Sequence, residues 1–344
     1  MNETLKESLR GFLAALLAIP SPTGLNGQIT EYLCGRLRSL GLEPKTLRKG
    51  GVYAKAGGEG NPLLVMAHAD DIGLMVHRIK DNGHLAVTNV GGLHAPYCDQ
   101  ENVRIHTRGG AVVSGCVRLE DPSLHISPRE HTRAARDFTE NTEVVLDADV
   151  YSRTDAEALG VRVGDFISVE PRTVFLENGY IKSRFLDDKA SAAVLLTYLE
   201  YVRTNNLTPR RQVWADFTLF EEIGHGGAWI PEGICDVLAV DIGPVGGSTS
   251  CDEHKVSICL KDAAFPYNRE MSHELIGACE EANIPHTLDL YLPSYGSDAD
   301  VVLRSGHDVR HALIGPGVLA THGYERTHID ALAATFDLLC AYTL

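Results

Sequence analysis

Polar residues that could carry chemistry follow apolar runs at three separate places in the chain. They are His68, Asp70 and Asp71 in MAHADDIG, Glu221 and Glu222 in FTLFEEIGHGGA, and Asp241 in VLAVDIGP. In open α/β sheets, ligands bind just outside the carboxyl ends of the strands. If the apolar runs are strands of one sheet, these side chains converge at its edge.

Imidazole and carboxylate groups together are the ligand set of a hydrolytic metal centre. Such donors suit zinc, cobalt or manganese, whereas the chain has no C-x-x-C pattern to indicate a cysteine site. Asp70 lies two residues after His68, on the same side of an extended segment. From there it could hold the other ring N–H of the imidazole.

Other candidates have a structural explanation that the residue pattern alone does not exclude. Asp187 and Asp188, in SRFLDDKASAAVLL, stand where a helix is predicted to begin, and an aspartate there is more often an N-cap. His322, in THGYERTH, and His328, at the start of the last predicted helix, are both possible ligands. Spacing alone does not choose between these two histidines.

The elements that must position these residues alternate between helix and strand. Periodicity predicts helices over residues 5–16, 26–41, 188–204, 270–283 and 328–342, and strands over 63–67, 211–220, 237–240 and 256–260. Between residues 75 and 175 the pattern changes to short alternating segments broken by glycine, which is typical of a small all-β unit. We therefore predict an α/β catalytic domain, residues 1–74 and 176–344, with a β-rich domain inserted at 75–175.

Net charge, apolar runs and cysteine content limit the binding partners and the cellular location that we expect. The formal net charge of −15 over 344 residues argues against nucleic acid or an anionic membrane surface as partner. There is no 18-residue apolar run, and the N-terminal segment MNETLKESLRGFLAALLAIPSP reads as an amphipathic helix, not a signal peptide. The eight scattered cysteines predict reduced thiols and a cytoplasmic location.

Six motifs in order, HADDIG, FLDDKASA, FEEIGHGGA, VDIGP, GSDAD and a late THG, resemble the tetrahedral (TET) and glutamyl aminopeptidase family of di-metal peptidases. The resemblance covers nearly the whole chain. It implies a mixed-sheet α/β/α catalytic domain with an inserted small β-barrel-like dimerisation domain. It also implies a homo-oligomer, with a dodecamer built from dimers as the expected assembly.

The resemblance also implies roles for individual residues. His68, Asp187 and Asp241 would bind one divalent metal ion, zinc or cobalt, and Asp187 would bridge to a second ion held by Glu222 and His322. Glu221 would be the general base, Asp70 would orient His68, and the segment 296–299 would lie near the substrate. The chain departs from the common family pattern at Asp71, where glutamate is usual, and at Gly323, where a hydroxyl residue is usual.

These features predict an aminopeptidase that removes N-terminal residues from peptides, using a metal-activated water and a glutamate base. A metal-dependent deacylase or amidase acting on a small conjugate would keep the same centre and change the pocket. A glycosidase of the endoglucanase type would need two carboxylates flanking a glycosidic bond, for which adjacent residues are badly placed. A non-catalytic scaffold would not need the complete set of ligands.

Overall fold

The computed structural model describes all 344 residues and divides into two compact units. One unit comprises Met1–Asp70 and Arg172–Leu344, and the other comprises Asp71–Pro171. The sequence pattern predicts these two boundaries after residues 74 and 175.

The helices and strands are numbered in chain order through both units. The helices are α1 (Glu3–Leu17), α2 (Gly27–Ser39), α3 (Ala95–Cys98), α4 (Arg129–Thr132), α5 (Arg153–Ala158), α6 (Leu186–Thr204), α7 (Arg269–Ala282), α8 (Asp298–Arg304) and α9 (Ile329–Thr343). The strands are β1 (Lys45–Thr46), β2 (Val52–Gly57), β3 (Leu63–His68), β4 (Gly73–Ile79), β5 (Leu85–Val90), β6 (Asn102–His106), β7 (Val112–Leu119), β8 (Thr142–Leu146), β9 (Phe166–Val169), β10 (Val174–Phe175), β11 (Tyr180–Ser183), β12 (Val213–Thr218), β13 (Asp236–Val240), β14 (Gly243–Val245), β15 (Val256–Lys261), β16 (His286–Leu290), β17 (Arg310–Leu319) and β18 (Glu325–His328). Short 3₁₀ turns cover Glu221–Ile223 and Gly226–Ala228.

The first unit is built on a 12-stranded mixed sheet whose central strands run in the order β12-β3-β13-β17. These four neighbours are parallel to one another. Antiparallel strands flank them, with β2 beside β12 and β15 beside β17. Because the central four are parallel, their carboxyl ends all lie at one edge of the sheet.

Helices and loops cover both faces of the central sheet. All six residues of β3 are buried, as expected for a strand with no solvent-facing side. On one face, Leu64 and Met66 pack in a cluster with Ala299 and Val302 of α8. Alternate residues, such as Val65, point to the other face, where α6 contacts β3, β13 and β17.

Helix α6 is buried around most of its circumference, which explains its composition. Apolar and small residues fill it in the run ASAAVLLTYL, and all of these are buried. It packs between the sheet and the helices α1 and α9. A helix that is apolar all round belongs in the interior of a large domain. It therefore anchors its own amino-terminal end, where Asp187 and Asp188 lie.

The second unit is a closed barrel of six strands in the order β4-β5-β8-β7-β6-β9. All of its neighbouring pairs are antiparallel. Closure removes exposed sheet edges, which explains how a small β unit with short strands holds together. The predicted fold class, a mixed-sheet α/β domain with an inserted barrel-like domain, is confirmed.

Most predicted elements are present, but some were missed. The predicted strand 211–220 ends at Thr218, and Glu221 and Glu222 lie in a 3₁₀ turn beyond it. Strand β17 was not predicted, because its sequence RHALIGPGVL carries glycine and proline in the middle of the run. No helix in the structure is long and apolar enough to cross a membrane.

One buried acid in the central sheet has no hydrogen-bond partner. Asp216, in the middle of β12, is fully buried, and neither carboxylate oxygen makes a hydrogen bond. Burial raises the pKa of Asp216 to about 8; the negative charge of Asp298 adds to this, and the positive charge of Lys49 opposes it. The carboxyl group is therefore held neutral at pH 7.

We expect Asp216→Asn to remove a pH-dependent loss of stability. The folded-state pKa lies above the unfolded value, so the contribution of Asp216 is present at low pH and is lost as pH rises towards 8. The melting temperature of the wild type should fall over this range relative to that of the variant, measured by calorimetry from pH 5 to 8.5. Exposed Asp308→Asn is the control. Parallel curves for wild type and Asp216→Asn would contradict this assignment.

Candidate metal centre

The four parallel strands deliver the predicted site residues to one edge of the sheet. His68 is the last residue of β3 and pairs in register with Thr218, the last residue of β12. Asp241 directly follows β13, and His322 lies in the short loop after β17. Glu221 and Glu222 follow β12 by one turn. Strand direction and register thus bring together residues that are far apart in the chain.

Asp187 lies between two histidines. Its Oδ1 is 3.2 Å from Nε2 of His68, and its Oδ2 is 3.6 Å from Nε2 of His322. Nε2 of His322 is also 3.4 Å from Oε2 of Glu222. One carboxylate therefore faces two separate groups of metal-type donors, one with each of its oxygens.

Asp241 completes the first of these groups. The ligand atoms of His68, Asp187 and Asp241 all lie within 4.8 Å of one another, and all three residues are mostly buried. Asp241 Oδ1 accepts the main-chain N–H of Ile242 at 2.6 Å, which fixes the carboxylate in the turn after β13. Glu221 Oε2 lies 3.7 Å from Nε2 of His68, at the side of this group.

Asp70 binds the turn that carries the glutamate pair. Its carboxylate accepts the main-chain N–H groups of Glu221, at 3.2 Å, and Glu222, at 3.4 Å, and the hydroxyl of Thr23 at 2.6 Å. The Nδ1 atom of His68 is 3.1 Å from the main-chain oxygen of Asp70 and 3.7 Å from its carboxylate. The nearest partner of the His68 ring at Nδ1 is therefore the carbonyl, while the carboxylate holds the glutamates.

Glu325 is a site residue that sequence reasoning missed. It is buried at the start of β18, where Oε1 accepts the main-chain N–H of His322 at 3.0 Å and Oε2 accepts that of Asp187 at 3.1 Å. The Glu325 carboxylate therefore fixes the main chain of Asp187 relative to that of His322. In the sequence, an acid within GYERTH is indistinguishable from a solvated strand residue, so no local signal could have identified it.

The capping interpretation of Asp187 and Asp188 does not describe the structure. Neither residue has helical backbone angles, and the peptide bond between them is cis. The side chain of Asp187 faces the two histidines. That of Asp188 is fully buried and accepts the main-chain N–H of His68 at 3.2 Å.

Two further candidates, His328 and the segment 296–299, make different contacts. His328 Nε2 is 2.8 Å from the main-chain oxygen of Asn178, so of the two late histidines it is His322 that stands beside Asp187. In the segment 296–299, Asp298 is buried and accepts the main-chain N–H of Gly227 at 2.7 Å. A Cβ at Gly226 would lie 2.1 Å from this carboxylate, which explains the glycine at this position.

Electrostatics at the sheet edge favour a bound cation. Burial, and then the charge of Asp187, raise the pKa of Glu222 well above its usual value, and the same two causes raise that of Asp241 to about 7. Burial acts to lower the pKa of His68, but its hydrogen bond to Asp187 and the nearby acids raise it well above normal. The cluster thus stabilises positive charge.

The donor set fits divalent metal ions. Buried carboxylates close to one another cannot all ionise without a compensating charge, and oxygen and imidazole nitrogen are ligands of zinc-type ions. The His68 ring has its Nδ1 held by a main-chain carbonyl, which leaves Nε2 facing the carboxylates. This arrangement is the usual support of a metal-binding histidine.

Comparison with known proteins agrees with this chemistry. The family model of the M42 glutamyl aminopeptidases, which are metal-dependent, matches residues 50–338. The putative aminopeptidase YhfE of Bacillus subtilis is 38% identical over 330 residues, covering 95% of this chain and 94% of its own.

Two solved structures share the fold. The TET aminopeptidase of a marine sediment Thaumarchaeota archaeon has a TM-score of 0.87 at 19% identity, covering 97% of this chain and 95% of its own. The TET1 peptidase of Pyrococcus horikoshii has a TM-score of 0.85 at 21% identity, with 97% and 98% coverage. The match of the family model over most of the chain, together with the relative at 38% identity, shows that this chain belongs to the M42 glutamyl aminopeptidase family of peptide-bond hydrolases.

Proposed function

We propose that this aminopeptidase uses two divalent metal ions and a glutamate base to remove residues from the free N-terminus of peptides. One observation carries the proposal: the two oxygens of Asp187 face two different histidines, at 3.2 and 3.6 Å. A carboxylate in this position can bridge two ions, one beside each histidine, and Glu222 beside His322 gives the second ion a further ligand.

The residues of the sheet edge divide into two groups that share Asp187. His68, Asp187 and Asp241 would hold one ion, and Asp187, Glu222 and His322 would hold the other. Zinc or cobalt suits these donors. When bound, two such ions supply Lewis acidity, polarising the scissile carbonyl and lowering the pKa of water.

Glu221 is the residue that we assign to proton transfer. Burial raises the pKa of Glu221 well above its usual value, which makes its carboxylate a stronger base. Its side chain is 14% exposed, against 4% for Glu222, so it is the glutamate of the pair that a substrate can reach. Glu221 would take a proton from the attacking water and return it to the leaving amine.

The turn that carries the pair explains how adjacent glutamates can act differently. Asp70 accepts the N–H groups of both residues, which fixes the backbone of the turn. The side chain of Glu221 then approaches His68, and that of Glu222 approaches His322. One main-chain anchor thus directs two carboxylates to different histidines.

Action on N-terminal residues is a proposal that rests on family membership. A metal ion beside Glu222 and His322 could receive the free α-amino group of a peptide, which would restrict cleavage to its first bond. A deacylase or amidase would keep the same residues and would accept substrates without a free amine. The preference for one terminal residue would be set by the side chains that surround that residue, and not by the metal ligands.

The first test compares a short peptide with its N-acetylated form. We expect hydrolysis of the free peptide only, because an acetylated nitrogen is neither charged nor a good metal ligand. A panel of aminoacyl anilides, assayed after chelation and after return of zinc, cobalt or manganese, would establish metal dependence and terminal preference. Equal rates on the free and acetylated peptides would support the deacylase reading instead.

The second test separates the two glutamates. Glu221→Gln should retain both metals and lose ~10²–10⁴-fold in kcat, because only the base is removed. Glu222→Gln should lose affinity for one metal and recover part of its activity at high metal concentration. Metal content and kcat are measured for both variants, with the exposed Glu232→Gln as control.

The outcome can contradict the assignment in two ways. If Glu221→Gln loses a metal and Glu222→Gln keeps both, the roles of the pair are reversed. If both variants retain the activity of Glu232→Gln, neither glutamate takes part in the reaction.

We also propose a homo-oligomer, predicted from the family resemblance to be a dodecamer built from dimers through the inserted barrel. The Pyrococcus horikoshii relative can assemble into a tetrahedron or a large octahedral shell. The barrel unit exposes large apolar residues, including Tyr97, Val112 and Ile126. These side chains are the candidates for contact with another copy of the chain.

Light scattering coupled to gel filtration tests the assembly. A dodecamer of 37.4 kDa chains is expected, and Ile126→Asp should shift the population towards smaller species if the barrel supplies the interface. Leu288→Asp, at an exposed apolar residue of the other unit, is the matched control. A monomer mass over a wide concentration range would rule the proposal out.

A further inference from the structure

A second cluster of metal-type donors is separate from the residues assigned above. It consists of His254, His328 and Asp330, whose ligand atoms all lie within 4.8 Å of one another. His254 belongs to the loop between β14 and β15, His328 ends β18, and Asp330 lies in the first turn of α9. Three different elements therefore meet at this point, which we call the peripheral cluster.

The carboxylate of Asp330 lies between the two imidazoles. Its Oδ2 is 3.2 Å from Nδ1 of His328 and 3.5 Å from Nδ1 of His254. The two rings are close together, with centroids 4.1 Å apart. Each histidine thus turns the same ring nitrogen towards the same oxygen atom.

The other ring nitrogen of each histidine, Nε2, also has a polar partner. Nε2 of His328 is 2.8 Å from the main-chain oxygen of Asn178, and Nε2 of His254 is 3.3 Å from the hydroxyl of Tyr180. Metal-binding histidines almost always make such a contact through the ring nitrogen that does not bind the metal. The peripheral cluster therefore has the supporting contacts of a metal site as well as its donors.

The hydrogen bonds of His328 determine where its proton lies. Because a carbonyl accepts only, Nε2 carries the hydrogen that it donates to Asn178, and Nδ1 accepts the main-chain N–H of Asp330 at 3.1 Å. Nδ1 is thus a lone-pair donor, and the nearby Oδ2 of Asp330 is another. In this structure that single lone pair is taken by the N–H of Asp330, and a metal ion at Nδ1 would replace this hydrogen bond.

The rest of the environment leaves this position open. Lys6 Nζ pairs with the opposite oxygen of Asp330, Oδ1, at 3.4 Å, so Oδ2 remains directed at the histidines. The side chains of His254 and Asp330 are 45% and 48% exposed, whereas that of His328 is 9% exposed. One ligand is therefore fixed, and two are accessible to an ion from solution.

We propose that His254, His328 and Asp330 form a peripheral binding site for a divalent transition metal ion of the zinc type. Two imidazoles and one carboxylate are a common ligand set for zinc, and a fourth position would remain open to solvent. A bound ion would connect the loop before β15 to β18 and α9. Since β18 begins at Glu325, which holds Asp187 and His322, the ion would stabilise the strand that supports the main centre.

Zinc content measured on the metal-loaded enzyme tests the site. Wild type, His254→Ala and Asp330→Asn are equilibrated with one fixed free zinc concentration, and bound zinc is counted by elemental analysis. Each variant should hold one zinc ion per chain fewer than the wild type and should hydrolyse peptide at a rate within twofold of it. His125→Ala, at an exposed histidine of the barrel unit, should match the wild type in zinc content.

Thermal unfolding gives a second readout. Added zinc should raise the melting temperature of the loaded wild type and of His125→Ala, because an ion that binds only the folded chain stabilises it. This rise should be absent in His254→Ala. Equal zinc content in all four proteins would overturn the proposal. So would a loss of peptide hydrolysis together with zinc in His254→Ala, since the cluster would then belong to the main centre.

Discussion

Repulsion among carboxylates that water barely reaches is the constraint on which the rest of the structure depends. Asp187, Glu222 and Asp241 approach one another at the sheet edge, and burial raises the pKa values of the last two. Such a cluster is unfavourable unless positive charge compensates it. His68 supplies part of that charge, because its hydrogen bond to Asp187 and the nearby acids raise its pKa well above normal. An arrangement that is unfavourable without added positive charge is one that suits divalent metal ions.

Parallel strand order is what allows the cluster to form. Neighbouring parallel strands end at the same edge, so residues that follow β12, β3, β13 and β17 meet although they are far apart in the chain. The cost of crowding charges is offset by the packing beneath them. Helix α6 and the cluster around α8 bury both faces of the central strands, so the ends of those strands cannot move apart without opening the core.

The sequence was sufficient to predict the parts of the site that follow a clear apolar run. Strands β3 and β13 are short and continuous, so His68 and Asp241 could be placed at their ends from periodicity. Strand β17 contains Gly315, Pro316 and Gly317, which are residues that normally argue against a strand. The main chain of Asp241 approaches Gly315 so closely that a Cβ would not fit there. A contact within the folded protein therefore explains a glycine that hides this strand from sequence analysis. Glu325 could not be found, because its role depends on which main-chain groups are brought to it.

Three acidic side chains in this structure position the site residues through hydrogen bonds to their main chain. Asp70, Glu325 and Asp188 together accept the main-chain N–H groups of five site residues, which are Glu221, Glu222, Asp187, His322 and His68. A main-chain N–H is the same whatever residue bears it. The identity of a site side chain can therefore change while its position is kept. Evolution, or a directed library at these five positions, can exchange the side chains of the site without rebuilding the main chain that carries them.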